Sequence, residues 1–160
     1  AEDVGETCNL AAPGRDGMVY LDRVETHWPL RIQLPIGTQV PFYCTASGKM
    51  YLSTLRPHIL RSILTARPLA AQTEQTLTDF DALMAELETT RARGYSTDNE
   101  EFMPGMAAIA VPVLDGQGKL LATLSVHAPV QRRKLVDMID WLPALRKCSD
   151  DMTRLHLGTA

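Results

Sequence analysis

The chain has 160 residues, 45% of them hydrophobic and 22% charged, with a formal net charge of -3. That length fits one compact domain, and the slight acidity argues against the chain gripping nucleic acid unaided, which needs clustered Lys and Arg. The three cysteines, Cys8, Cys44 and Cys148, are widely spaced and form no C-x-x-C, which speaks against a disulfide framework and fits a reducing interior.

In chain order, residues 6–12 and 18–25 are β-type runs separated by Pro13-Gly14-Arg15-Asp16-Gly17, a turn cluster that predicts a hairpin. Residues 30–34 alternate strictly and predict a half-buried strand ended by Pro35 and Gly37. Residues 45–55 read as a helix capped by Thr45 or Ser47, with Met50, Tyr51 and Leu55 on one face. Pro57 suits the first turn of a second helix carrying Ile59, Leu60, Ile63 and Leu64, closed by Pro68. Residues 79–93 form the best helical stripe, Phe80, Leu83, Met84 and Leu87. Thr78 and Asp81 resemble a capping box there, and Gly94 suits the far end.

A short strand at 95–97 leads into an acidic loop at 98–105, whose carboxylates read as solvated. Residues 108–114 and 119–126 are two strong strands joined by Asp115-Gly116-Gln117-Gly118. A long helix follows Pro129 and runs to about Leu155, kinked or restarted at Pro143. Its buried stripe would hold Leu135, Ile139, Leu142, Leu145, Cys148, Met152 and Leu155, and the Arg132-Arg133-Lys134 group would be its solvated start. The whole predicts an α+β fold, an antiparallel sheet with helices on one face or at its ends.

The chain contains no G-x-S-x-G, H-E-x-x-H or P-loop; Gly48-Lys49 lacks the preceding glycines, and Met50 stands where a phosphate loop needs Ser or Thr. The four histidines show no metal-ligand spacing. Cys44 precedes a helix start, where the dipole lowers a thiol pKa, so a hydrolase pairing Cys44 with His127 is one alternative. Thr45-Ala46-Ser47-Gly48 opens a helix with small residues that serve either as ordinary caps or as an anion site. Ser125 and His127 point to one face of their strand, opposite Leu124 and Val126. If that face looks into a cavity, both reach one ligand; if it looks at solvent, they mean nothing.

Taken together, several segments resemble one family. They are Gly5-Glu6-Thr7-Cys8-Asn9-Leu10, Tyr20-Leu21-Asp22-Arg23-Val24-Glu25, the block PFYCTASGKMYL from Pro41, the block RGYSTDNEEFMPG from Arg93, and the closing hairpin. In this order and spacing they resemble the effector-binding domain of IclR-type bacterial transcription regulators. The resemblance implies a GAF-like fold with a small-molecule pocket between the sheet and the loop-helix segments. It implies that residues 1–160 are a single effector-binding domain and that a winged helix-turn-helix domain is missing from the N-terminal side, which the abrupt start at Ala1 also suggests.

Further expectations follow from the resemblance: a cytoplasmic protein that is not an enzyme, forms dimers or tetramers, uses no cofactor, and touches operator DNA only through the missing domain. With no long apolar run in the chain, no membrane span is expected. Carried over by position, the pocket comprises Ala46, Ser47, Gly48, Asp98, Met106, Ala108, Ser125 and His127. The expected ligand is a small organic acid, with Ser47, helix N–H groups and Ser125 holding its charge. His127 and Asp98 orient it, a cationic imidazole welcoming the carboxylate, while Met106 and Trp28 enclose the rest. A purely structural oligomerisation domain is the remaining alternative. The chain departs from the family's pattern at Tyr43, at His127 and at Ala128, which bears on the ligand rather than on the fold.

Overall fold

The computed structural model describes residues 1–158. Strands β1 (Thr7–Pro13) and β2 (Met18–Val24) form the first hairpin. β3 (Gln39–Val40) adds a short edge, followed by helices α1 (Ala46–Ser53), α2 (Pro57–Thr65) and α3 (Phe80–Arg93). Strands β4 (Ser96–Asn99), β5 (Met106–Leu114) and β6 (Leu120–Pro129) come next. The chain closes with α4 (Leu135–Met138), a 3-10 turn (Ile139–Trp141) and α5 (Leu142–His156). The strands make one antiparallel six-stranded sheet in the order β3-β2-β1-β6-β5-β4.

The expectation of helices on one face or at the ends is replaced by three layers. β5 and β6 are buried along nearly their whole length, so both of their sides are covered. Ile109, Val111, Leu124 and Val126 pack with Met138, Trp141, Leu142 and Leu145 of the C-terminal helices. On the opposite side, Met18 and Tyr20 meet Leu52, Leu60, Leu83 and Leu87 of α1, α2 and α3, while Ala46 and Met50 lie against Ala108 and Ala110.

The predicted strand at 30–34 does not form. β2's free edge is taken by the segment 37–40, which pairs Met18 with Val40 and Val19 with Gln39. The carbonyls of Ile32 and Leu34 instead accept the Arg23 guanidinium at 2.6 and 2.5 Å. Backbone acceptors need partners, and a side chain satisfies these in place of a ladder.

The cap of α3 is Asp79 rather than Thr78: its Oδ1 accepts the Ala82 N–H at 2.8 Å. Gly94, in the left-handed region at φ 74°, closes that helix. The predicted long C-terminal helix is interrupted by the 3-10 turn and restarts with Pro143 in the first turn of α5. Its buried side drifts accordingly to Met138, Trp141, Leu142, Leu145 and Ser149, leaving Cys148 and Leu155 exposed. In the basic group Arg133 and Lys134 are exposed, as expected of a solvated helix start, while Arg132 is engaged. Arg132 holds Glu6 through two bonds of 2.7 and 2.8 Å, and Arg133 lies over the Trp141 ring.

Candidate functional site

Residues directly opposite in a sheet share a face, and the register lines up a polar stripe beneath α1. One row runs Asp98, Ala108, His127, Thr7 across β4, β5, β6 and β1. The next runs Ser96, Ala110, Ser125, Asn9, Arg23 and reaches β2. Thr7, Asn9, Ser96, Asp98, Ser125 and His127 are all buried. Buried polar groups are costly unless bonded, so this concentration under a helix demands an account of each partner.

Helix α1 roofs the stripe. Thr45 caps it, accepting the Gly48 N–H at 3.0 Å, and Ser96 Oγ donates to the Ala46 carbonyl at 2.5 Å. A Cβ on Gly48 would lie 2.2 Å from the Phe42 carbonyl oxygen, so glycine lets the helix and the preceding turn approach closely. The capping reading therefore accounts for the Gly48 N–H, while the buried Ser47 Oγ has no partner. Lys49 is fully buried, its Nζ 2.6 Å from Glu101 Oε1 and 3.8 Å from Glu86 Oε1.

Asp98 and Glu101 are not a solvated loop: Asp98 lies in β4, and both carboxylates are buried. Asp98 Oδ1 accepts the N–H groups of Glu101 at 2.7 Å and Phe102 at 3.4 Å, which folds the following turn. Thr73 and Thr76 bind the carbonyls of Glu100 and Glu101 at 2.6 and 2.7 Å from above. Burial, then the neighbouring Glu101, pushes the Asp98 carboxyl up to about 7.

His127 is neutral. Burial, helped by the charge of Arg23, pushes its imidazole down to about 4, which overturns the expected cationic imidazole. Its Nδ1 lies 3.0 Å from Asn9 Nδ2, so the proton of the neutral ring sits on Nε2. The Tyr20 ring meets it edge-on, centroids 6.4 Å apart.

The stripe thus brings Asp98, Ala108, Ser125 and His127 together, with Ala46 packed on Ala108 and Ala110. Met106 is half-buried at the start of β5, on the same face as Ala108. Trp28 lies outside, 53% exposed and stacked under Arg132. Cys44 is fully buried, and burial with the nearby Asp98 and Glu101 pushes its thiol up to about 12, against the expected lowering. A surface cleft of about 260 Å³, lined by Pro41, Tyr43, Ile63, Arg67 and Leu69 among others, contains none of the expected residues. Among the described residues, no group of three His, Cys, Asp or Glu is placed to hold a metal ion.

Asn9 and Arg23 escaped the sequence reading. The signal available was the period of two in β1, where Thr7, Asn9 and Ala11 share the inward face. Their buried atoms Asn9 Oδ1 and Arg23 Nε, like Ser47 Oγ and Glu101 Oε2, have no hydrogen-bond partner.

Comparison with known proteins agrees with this architecture. Residues 1–154 match the family "Bacterial transcriptional regulator IclR C-terminal". The chain is 40% identical over 153 residues to the "Probable transcriptional regulator SauR" of Cupriavidus necator, covering 96% of the chain and 61% of that protein. It is 40% identical over 131 residues to the regulator BhcR of Paracoccus denitrificans, covering 82% of the chain and 47% of that protein. The chain therefore spans about half to three fifths of these relatives. Among solved structures, it superposes on the C-terminal domain of Escherichia coli KdgR with a TM-score of 0.84 at 30% identity, covering 95% of the chain and 88% of that one. The complex of a doubly mutated PobR inducer-binding domain from Acinetobacter with 3-hydroxybenzoic acid gives a TM-score of 0.88 at 27% identity, over 96% and 91% of the two chains.

Proposed function

This chain belongs to the IclR family of bacterial transcriptional regulators, whose C-terminal domain it matches across residues 1–154, and on that premise we propose that it senses a small organic acid. The observation that carries the reading is the buried polar stripe of Asp98, Ser125 and His127 under a helix whose Ser47 hydroxyl is unpartnered. Groups left this way in a buried site suit a ligand that completes them. The site consists of Ala46, Ser47 and Gly48 above, with Asp98, Met106, Ala108, Ser125 and His127 below. The PobR domain's complex with a hydroxybenzoic acid supports an acid as the ligand class.

Regulation follows by population shift. The acid binds one arrangement of the full-length protein better than the other, and only that difference in affinity moves the DNA-binding equilibrium. A winged helix-turn-helix domain N-terminal to this chain would contact the operator in the cytoplasm, and pairing of two or four copies would set its spacing. A hydrolytic role through Cys44 is disfavoured, because the nucleophile is the thiolate and burial holds this thiol neutral.

A thermal-shift screen against pyruvate, lactate, benzoate and 3-hydroxybenzoate, with Ser125→Ala and His127→Ala alongside, tests the reading. A ligand at about 100 times its Kd adds about 2.7 kcal/mol, and each kcal/mol raises Tm by about 2–4 °C in a domain of this size. A shift of several degrees that both variants abolish is expected. A shift that survives both would move the site elsewhere, and no shift with any acid would leave the domain a structural one.

A further inference from the structure

We infer that Arg23 is the charge anchor of this site and that the ligand it fits is a small hydroxy acid, with the carboxylate on the Arg23 Nε–H and the hydroxyl donated to Asn9 Oδ1. The inference rests on the effector reading above and names the ligand's chemistry. The Arg23 side chain is only 9% exposed. Its Nη1 donates to the Leu34 carbonyl at 2.5 Å and its Nη2 to the Ile32 carbonyl at 2.6 Å, with Glu25 3.4 Å from Nη2. These contacts fix the plane of the guanidinium and leave one donor, Nε, buried without an acceptor.

Asn9 stands directly opposite Arg23 in the β1–β2 ladder, and opposite Ser125 on its other side. Its Nδ2 donates to His127 Nδ1, which leaves Oδ1 as a buried acceptor without a donor. An unmet donor and an unmet acceptor therefore lie on facing residues of one row, without bonding each other. A carboxylate bearing a nearby hydroxyl offers the complementary pair.

Charge points the same way. His127 is neutral and cannot balance an anion. Lys49 is consumed by Glu101 and Glu86. The Asp98 carboxyl, raised by burial, and Glu101, paired with Lys49, offer no positive charge. Arg23 is the cation of the stripe with a donor to spare, and a guanidinium suits a carboxylate.

The test is calorimetric titration of the chain with lactate, propionate and lactamide, and with 3-hydroxybenzoate, benzoate and 3-hydroxybenzamide. Wild type, Arg23→Gln and Asn9→Ala are compared. In the wild type, one hydroxy acid should bind about 10- to 100-fold tighter than its amide, the range of a charge-assisted bond. Arg23→Gln should bring the acid to the level of the amide, and a circular-dichroism spectrum and a cooperative melt like those of the wild type report an intact fold. Asn9→Ala should erase the preference for the hydroxy acid over its parent acid.

If Arg23→Gln still prefers the acid to the amide, Arg23 only holds the 32–34 segment and the inference is overturned. If Asn9→Ala keeps the hydroxyl preference, the hydroxy-acid assignment is overturned. Should Arg23→Gln fail to fold, the ¹⁵N–¹H signal of Arg23 Nε in the wild type decides: it moves on adding the acid and not the amide, or the inference falls. Binding of none of the six compounds by the wild type would overturn the effector reading itself, whereas acid binding untouched by Arg23→Gln overturns only the anchor.

Discussion

Asp98 and His127 lie in one row of the sheet, separated by Ala108, and burial moves them in opposite directions. The Asp98 carboxyl rises from 3.8 to about 7. The folded state then keeps a proton that the unfolded chain releases, so this group withdraws stability as pH climbs from 3.8 towards 7. The His127 imidazole falls from 6.5 to about 4. Here the unfolded chain takes up a proton that the folded one refuses, so this group adds stability as pH climbs from 4 to 6.5. Glu101, also raised by burial, adds to the direction of Asp98. Urea denaturation between pH 4.5 and 6.5 should show a more positive slope of stability with pH for Asp98→Asn and a more negative one for His127→Gln. Each change should reach at most about 1.4 kcal/mol per pH unit, the weight of one proton. An unchanged slope for Asp98→Asn would mean that its carboxyl ionises as it does in water.

At the level of elements, helix starts decide what the site's backbone can offer. Thr78 and Asp79 are both capping types, and local pattern favoured the first because an acidic residue follows at the right distance. The structure selects Asp79, whose carboxylate meets the Ala82 N–H. Asp79→Ala should cost about 1 kcal/mol in a denaturant melt, and Thr78→Ala close to nothing; the reverse order would restore the capping box. On α1, Thr45 takes the Gly48 N–H, and the helix start presents the unpartnered Ser47 hydroxyl as well. The 30–34 segment makes the complementary point. Its alternation of apolar and polar residues describes burial of Ile32 correctly, but a strand needs a free edge, and segment 37–40 already holds it.

Across the whole molecule, the Lys49–Glu101 pair ties α1 to the turn after β4, and Glu86 with Arg93 extends the charges to α3. Removing one partner of a buried pair strands the other. Lys49→Met should cost about 3–5 kcal/mol, while the double variant Lys49→Met with Glu101→Leu should lose less than the sum of the single losses, by about 0.5–3 kcal/mol. A double-mutant cycle by chemical denaturation measures this coupling, and strict additivity would show that the pair contributes no mutual stabilisation. The same network holds the roof of the stripe to its floor.

Local pattern by itself determined both hairpins, the helices before and after β4, the restart at Pro143 and the family resemblance. These depend on the period of the side chains, on turn chemistry and on proline geometry, all properties of neighbouring residues. Alternation likewise placed Ser125 and His127 on one face. Only the tertiary structure decided that this face is buried, that Asp98 belongs to a strand, that His127 is neutral and that Arg23 and Asn9 meet there. Burial at a position, and with it the charge state of a side chain, is set by elements far away in the chain. The hairpin signal set β1 beside the strand of Arg23, but no stretch of sequence around Arg23 could show that α1 would roof the stripe to which it belongs.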